Sequence, residues 1–212
     1  MPLIRKLIFT SLAFCALTLG GALSARADTI TVVGNTNGAL ATATVNCSFN
    51  AQTNTFTFTI NNTSPFDARV TGIGFDLPPA GNASASGLNG FSGANVGNFT
   101  FSDGDLGNVP QFNSAVLDFG FTTGAGFSGG SPNDGLAPGQ SLTFTVSGAA
   151  FAGFTEAQIC NAILVRFQRV GANGQGSDVA VPGNPVPEPV TMILFGTGLA
   201  GVAARVRRRR KA

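Results

Sequence analysis

From Asp28 to about Gly183 the chain repeatedly alternates apolar and polar side chains with a period of two. Ala41, Ala43, Val45, Cys47 and Phe49 alternate with Thr42, Thr44, Asn46 and Ser48. After the turn-like stretch Asn50–Asn54, TFTFTI puts Phe56, Phe58 and Ile60 on one side. The period returns at Ile73, Phe75 and Leu77, at Ala115, Leu117, Phe119 and Phe121, and at Leu142, Phe144 and Val146. Successive side chains of a strand point to opposite faces, so this pattern builds sheets with one buried face and does not line one side of a helix. Gly, Asn, Pro and Ser bound the runs, as turns require. Phe99 and Phe101 suggest a shorter strand, and Ile163–Val170 the last long one. One helix is predicted, a short one over Thr155–Ala162, with Thr155 as N-cap and Glu156 in the first turn. The Gly/Ala/Ser/Asn-rich regions 78–98 and 122–140 read as long loops. The expected fold is all-β, a β-sandwich of the jelly-roll or Ig-like sort with one short helix.

Composition says what fills such a sandwich. Sixteen of the 19 phenylalanines fall between Asp28 and Gly183. Each contributes roughly 1.5–3 kcal/mol when fully buried, and Phe has no polar tip that needs a partner. Thr and Ser cover the outward faces. The chain has no His, Trp or Tyr. That removes histidine general acid–base catalysis, Ser-His-Asp and Cys-His pairs, and His-ligated zinc.

The formal charge of +2 describes the ends rather than the body. Arg5, Lys6 and Arg26 lie at the start; Arg205, Arg207, Arg208, Arg209, Arg210 and Lys211 lie at the finish. Between Asp28 and Val186 only Arg69, Arg166 and Arg169 face nine Asp/Glu, a net of −6. Nucleic-acid binding rests on Lys/Arg neutralising phosphates, so no nucleic-acid partner is expected.

Residues 1–27 read as a secretory signal peptide with a signal helix. Arg5 and Lys6 precede an apolar stretch from Leu7 to Leu19, and Ala25-Arg26-Ala27 places small residues at the −3 and −1 positions before Asp28. The general secretion machinery and signal peptidase are the partners this implies. Phe14 directly before Cys15 departs from the small residue that a lipoprotein signal places there. Loss of residues 1–27 would leave two cysteines, Cys47 and Cys160. An even pair in an exported chain reads as a disulfide, the alternative being two separate buried thiols.

At the other end Pro187-Glu188-Pro189 is followed by VTMILFGTGLAGVAA (190–204), without a charge, and then by the basic run 205–211. Fifteen helical residues span roughly 22 Å of a hydrocarbon core about 30 Å thick. The expected transmembrane helix therefore crosses only with local thinning or with the arginine stems contributing. The basic residues stay on the cytoplasmic side, and the body lies outside. Pro187 and Pro189 keep the motif extended, where an enzyme can grip the backbone.

This tripartite ending, residues 184–212, resembles the PEP-CTERM sorting signal of Gram-negative bacteria. The resemblance rests on Pro187, Glu188 and Pro189, the glycine-bearing apolar helix, and Arg205, Arg207, Arg208, Arg209, Arg210 and Lys211 as the basic stop. It implies recognition by an exosortase, a membrane transpeptidase that would cut near the motif after a transient stay in the inner membrane. It also implies company with exopolysaccharide and biofilm matrix. A plain tail anchor is the other reading of the same segment. Segments 70–78, 135–146 and 154–168 are similar to stretches of other secreted bodies with this signal, which implies fold kinship.

Within the body, 28–183, chemistry-bearing groups are sparse. Asp103-Gly104-Asp105, with Asn108 nearby, offers oxygens of the kind Ca²⁺ takes, but lacks the twelve-residue loop with a terminal Glu and equally suits a turn. No cofactor motif accompanies it. Asp76 and Asp118 are a carboxylate pair of the type glycosidases use, although strand Asp residues usually face outward. Arg166 and Arg169 flank Phe167 and Gln168 as a small anion or sugar contact, or as protection of an edge strand. Five N-glycosylation patterns begin at Asn46, Asn61, Asn62, Asn82 and Asn98. Ser128 lacks the G-x-S-x-G spacing of a nucleophile elbow. These readings predict a non-enzymatic exported protein, with a carbohydrate- or calcium-binding adhesion module as the alternative.

Overall fold

The structure is a computed structural model that describes residues 28–81, 85–92 and 98–183. The expected signal helix with Ala25 and Ala27, and the whole of 184–212, lie outside those residues. Ten strands form in chain order: β1 (Asp28–Gly34), β2 (Gly38–Asn50), β3 (Thr55–Asn62), β4 (Arg69–Phe75), β5 (Asn89–Ser92), β6 (Thr100–Asp103), β7 (Phe119–Thr122), β8 (Ser141–Ser147), β9 (Ile163–Val170) and β10 (Gly176–Pro182). A short helix, α1 (Glu156–Asn161), precedes β9.

All strands join one antiparallel sheet in the order β5-β8-β3-β2-β1-β10-β9-β4-β7-β6. The sheet folds over on itself, and its two edge strands come together. A Cβ on Gly90 of β5 would sit inside the ring of Phe101 on β6. The result is a sandwich nearly closed into a barrel. β3 pairs with β8 and β4 with β7, while β5 approaches β6. That nesting is what winding one long hairpin around a core produces, as in a jelly roll.

The TFTFTI alternation performs as its period dictates. Cys47, Phe58 and Phe144 stand abreast on β2, β3 and β8, as do Val45, Ile60 and Leu142, all facing inward. Across the core lie Ile73, Phe75, Phe119, Phe121, Val165 and Phe167. Phe58 is the hub, with its ring 5.1 Å from Phe75, 6.0 Å from Phe121 and 5.2 Å from Phe144. On the outside of the same strands Thr59 meets Thr143 with oxygens 2.7 Å apart, and Thr57 meets Thr145 at 3.3 Å.

The other half of the sandwich does not alternate, because both its faces are covered. Nearly every residue of β4 and all of β7 are buried. Leu106, Val109, Leu117 and Phe127 from the connecting segments pack with Leu164 and Val179 on the outer side, as a second apolar cluster. Gly72, Gly74 and Gly120 make room for them: a Cβ on Gly74 would run into Leu117, and one on Gly72 would crowd Phe127.

Three expectations from the sequence change here. Ile163–Val170 is not the last long strand, since β10, with 7 residues, follows it. β1 and β5 also form, β1 on the short alternation Thr29–Val32, and β5 lies inside region 78–98. Ala115 and Leu117 precede β7 rather than extend it.

Candidate functional site

Thr155 begins α1 as predicted. Its side chain accepts from the Gln158 N–H, and the Gln158 side chain accepts from the Thr155 N–H, a reciprocal cap that satisfies two free donors. Two ties fix the helix on β2. Glu156 accepts a hydrogen bond from the Phe49 N–H at 2.8 Å, and Cys160 is bonded to Cys47 with Cα atoms 6.1 Å apart. The predicted disulfide therefore exists, joining an early strand to the helix across 113 residues of sequence.

The far wall is set by Asp118. It is fully buried rather than outward-facing. One carboxylate oxygen accepts from the Leu77 N–H at 2.7 Å and the other from the Ala85 N–H at 2.9 Å. This anchors the segment that follows β4. Asp76 lies beside it, accepting from Gly81 N–H at 2.8 Å. Burial pushes the Asp76 carboxyl above its ordinary 3.8, and the neighbouring Asp118 adds to the rise, while the Gly81 and Val116 amides oppose it.

Between these walls runs an open groove of two lobes, about 390 and 380 Å³, that share Asp76, Asn161 and Ala162. Phe112, Ala115, Val181 and Pro182 make the first lobe apolar, with Ser114 at its side. Pro78 and Gln158 belong to the second. A concave site of this size with a few polar groups on apolar walls is where ligands bind. Phe112, Ser114, Gln158 and Asn161 were not singled out by the sequence. They come from two segments far from Asp76 in sequence, and only Asp76 carried a signal.

The remaining candidates do not converge. Asp103 accepts from the Gly87 and Leu88 amides and so holds the segment before β5, while Asp105 accepts from Gly107 N–H at 2.8 Å in its own turn. Among the described residues no three His, Cys, Asp or Glu side chains gather as a metal site would require. Arg166 and Arg169 do not act together. Arg169 pairs with Asp67 at 2.9 Å, as does Arg69 at 2.7 Å. Arg166 is buried, and its Nε and Nη1 lack hydrogen-bond partners. Burial lowers its pKa, with Asp178 opposing. β9, which carries Arg166, lies between β10 and β4, so edge protection does not apply. Asn62 is not a glycosylation acceptor: it is buried, and its amide nitrogen donates to the Ala68 and Leu136 carbonyls at 2.8 Å each. Among the described residues no helix is long and apolar enough to cross a membrane.

An all-β body closed by a disulfide belongs to the class of exported domains, because oxidising compartments are where such bonds persist. Residues 185–209 match the PEP-CTERM protein-sorting motif, and the chain is thus an exported exosortase substrate carrying a C-terminal membrane-anchoring signal. Comparison with curated proteins and with solved structures finds no match.

Proposed function

We propose that the body is a non-enzymatic structural protein of the cell surface or extracellular matrix, of the biofilm and exopolysaccharide kind. Signal peptidase releases it after Ala27, and the body enters the periplasm. Helix 190–204 holds it in the inner membrane, with Arg205, Arg207–Arg210 and Lys211 on the cytoplasmic side. Exosortase acts at Pro187-Glu188-Pro189, and the body moves on to the outside. The observation that carries this reading is the sorting motif at 185–209 behind a disulfide-bonded body. Support for a non-enzymatic role comes from the absence of histidine and from Asp118, whose oxygens hold backbone amides.

Fractionating cells with and without the exosortase, and sizing the protein in each fraction, tests the route. Replacing Pro187, Glu188 and Pro189 by alanine should leave the longer form in the inner membrane. Unchanged processing of that variant overturns the proposal.

A further inference from the structure

The groove beside α1 has a particular hydrogen-bonding character. Asn161 donates its amide to the Ala157 carbonyl at 2.9 Å, which leaves its side-chain oxygen as an acceptor. Gln158 accepts at its oxygen from Thr155, which leaves its amide as a donor. Ser114 offers a hydroxyl that does both, and a carboxylate such as Asp76 has lone pairs beyond those taken by the Gly81 and Val116 amides. A ligand that fits must both donate and accept.

Charge narrows the class. Among the described residues Asp76 is the one charged residue lining the two lobes, and the buried Asp118 carboxylate stands behind it. Without a cation in the wall, an acidic ligand meets repulsion and no partner. A basic ligand would find one carboxylate, but ammonium groups only donate, and the apolar walls disfavour stripping their water. Hydroxyl groups on a carbon ring meet all these conditions. They donate and accept, they carry no charge, and the ring's C–H faces suit an aromatic side chain such as Phe112. The groove is open and two-lobed rather than closed around one small molecule, so it suits a chain that passes through.

From these features we infer that the groove between α1 and the segments around Asp76 and Ser114 binds a neutral glycan chain. The inference rests on the matrix reading and supplies its missing partner. The disulfide and the Glu156–Phe49 bond hold one wall, and Asp118 holds the other, so the site is formed before a ligand arrives. Such preorganisation reduces the ordering cost of binding.

The test uses the exported, processed protein labelled with ¹⁵N. It is titrated with hexasaccharides of α-1,4-glucose, β-1,4-glucose and β-1,4-mannose, with a polygalacturonate hexamer, and with hexalysine. The side-chain amide signals of Asn161 and Gln158 should shift and saturate with at least one neutral hexasaccharide. The polygalacturonate hexamer should leave them in place. Asn161→Ala, at an exposed position, should weaken binding about tenfold, and Phe112→Ala at least as much. Thr143→Ala on the opposite half should change nothing. No shift with any neutral hexasaccharide, equal binding by Asn161→Ala, or tighter binding of hexalysine or polygalacturonate overturns the inference. Matrix localisation in the fractionation experiment would stand in that case. Conversely, saturable binding by a protein that never leaves the inner membrane would refute the matrix role and not the groove.

Discussion

Removing the bond between Cys47 and Cys160 in a Cys47→Ala/Cys160→Ala variant should be among the most damaging changes this body can take. The bond closes a loop of 113 residues of sequence separation. In the chain-entropy relation a loop of that length restricts the unfolded chain by about 5 kcal/mol at 25 °C. Domains are typically stable by about 5–15 kcal/mol, so the loss is a large share of the total. Both cysteines are buried to within 1%, and truncating them adds a smaller packing loss. Reduced wild-type protein isolates the entropic part, because it keeps both sulfurs. Urea unfolding followed by circular dichroism, oxidised against reduced, should show a drop of about 4–5 kcal/mol. For a body of this size that corresponds to roughly 10–20 °C in Tm. α1 and the Asn161 side of the groove should lose hydrogen-exchange protection first, because Cys160 anchors them. A difference below about 1 kcal/mol, or two titratable thiols in unreduced exported protein, refutes the reasoning.

Phe58→Ala, at the centre of the ring cluster, should cost about 3–5 kcal/mol in urea unfolding, whereas Thr59→Ala next to it, facing out, should stay within about 0.5 kcal/mol. Asp118→Ala strips the acceptors from the buried amides of Leu77 and Ala85, at about 1–3 kcal/mol each. A Tm unchanged in that variant would mean that the segment after β4 is held by something else. The raised pKa of Asp76 gives a pH signature. Its folded state holds the proton more tightly than the unfolded state, so its contribution favours folding in full below about pH 3.8 and is lost as pH rises through the folded value. Asp76→Asn keeps an oxygen for Gly81 and should therefore raise Tm at pH 7, with the gain vanishing below pH 3.8. A gain that grows on acidification would contradict the burial argument.

Much of this molecule was legible in one dimension. TFTFTI, SLTFTV and the 41–49 run show strand and face together, because side chains alternate strictly and one face is apolar. Thr155 with Glu156 in the first turn marked the helix start for a similar reason, since capping acts within one helical turn. β1, β5 and β10 were harder to read. β5 is only four residues long, and β10 alternates poorly because Asp178 is buried among its neighbours, where its carboxylate accepts from the Thr36 and Asn37 amides. GIGF and FGF held a signal that periodicity does not capture. Their glycines face a second layer of side chains, and a glycine shows nothing of what lies above it.

The sequence by itself determined the class of fold, the cysteine pair and the C-terminal sorting motif. Each depends on local or near-local features: alternation, two cysteines within the body, and one short contiguous motif near the C-terminal end. Tertiary structure decided which polar residues hold the fold and which line a site. Asp118 proved to be a buried anchor, Arg166 and Arg169 parted, and Asp76 was brought beside Ser114 and Asn161. Those outcomes depend on where strands far apart in sequence come to lie, and side-chain chemistry read along the chain carries no record of that distance.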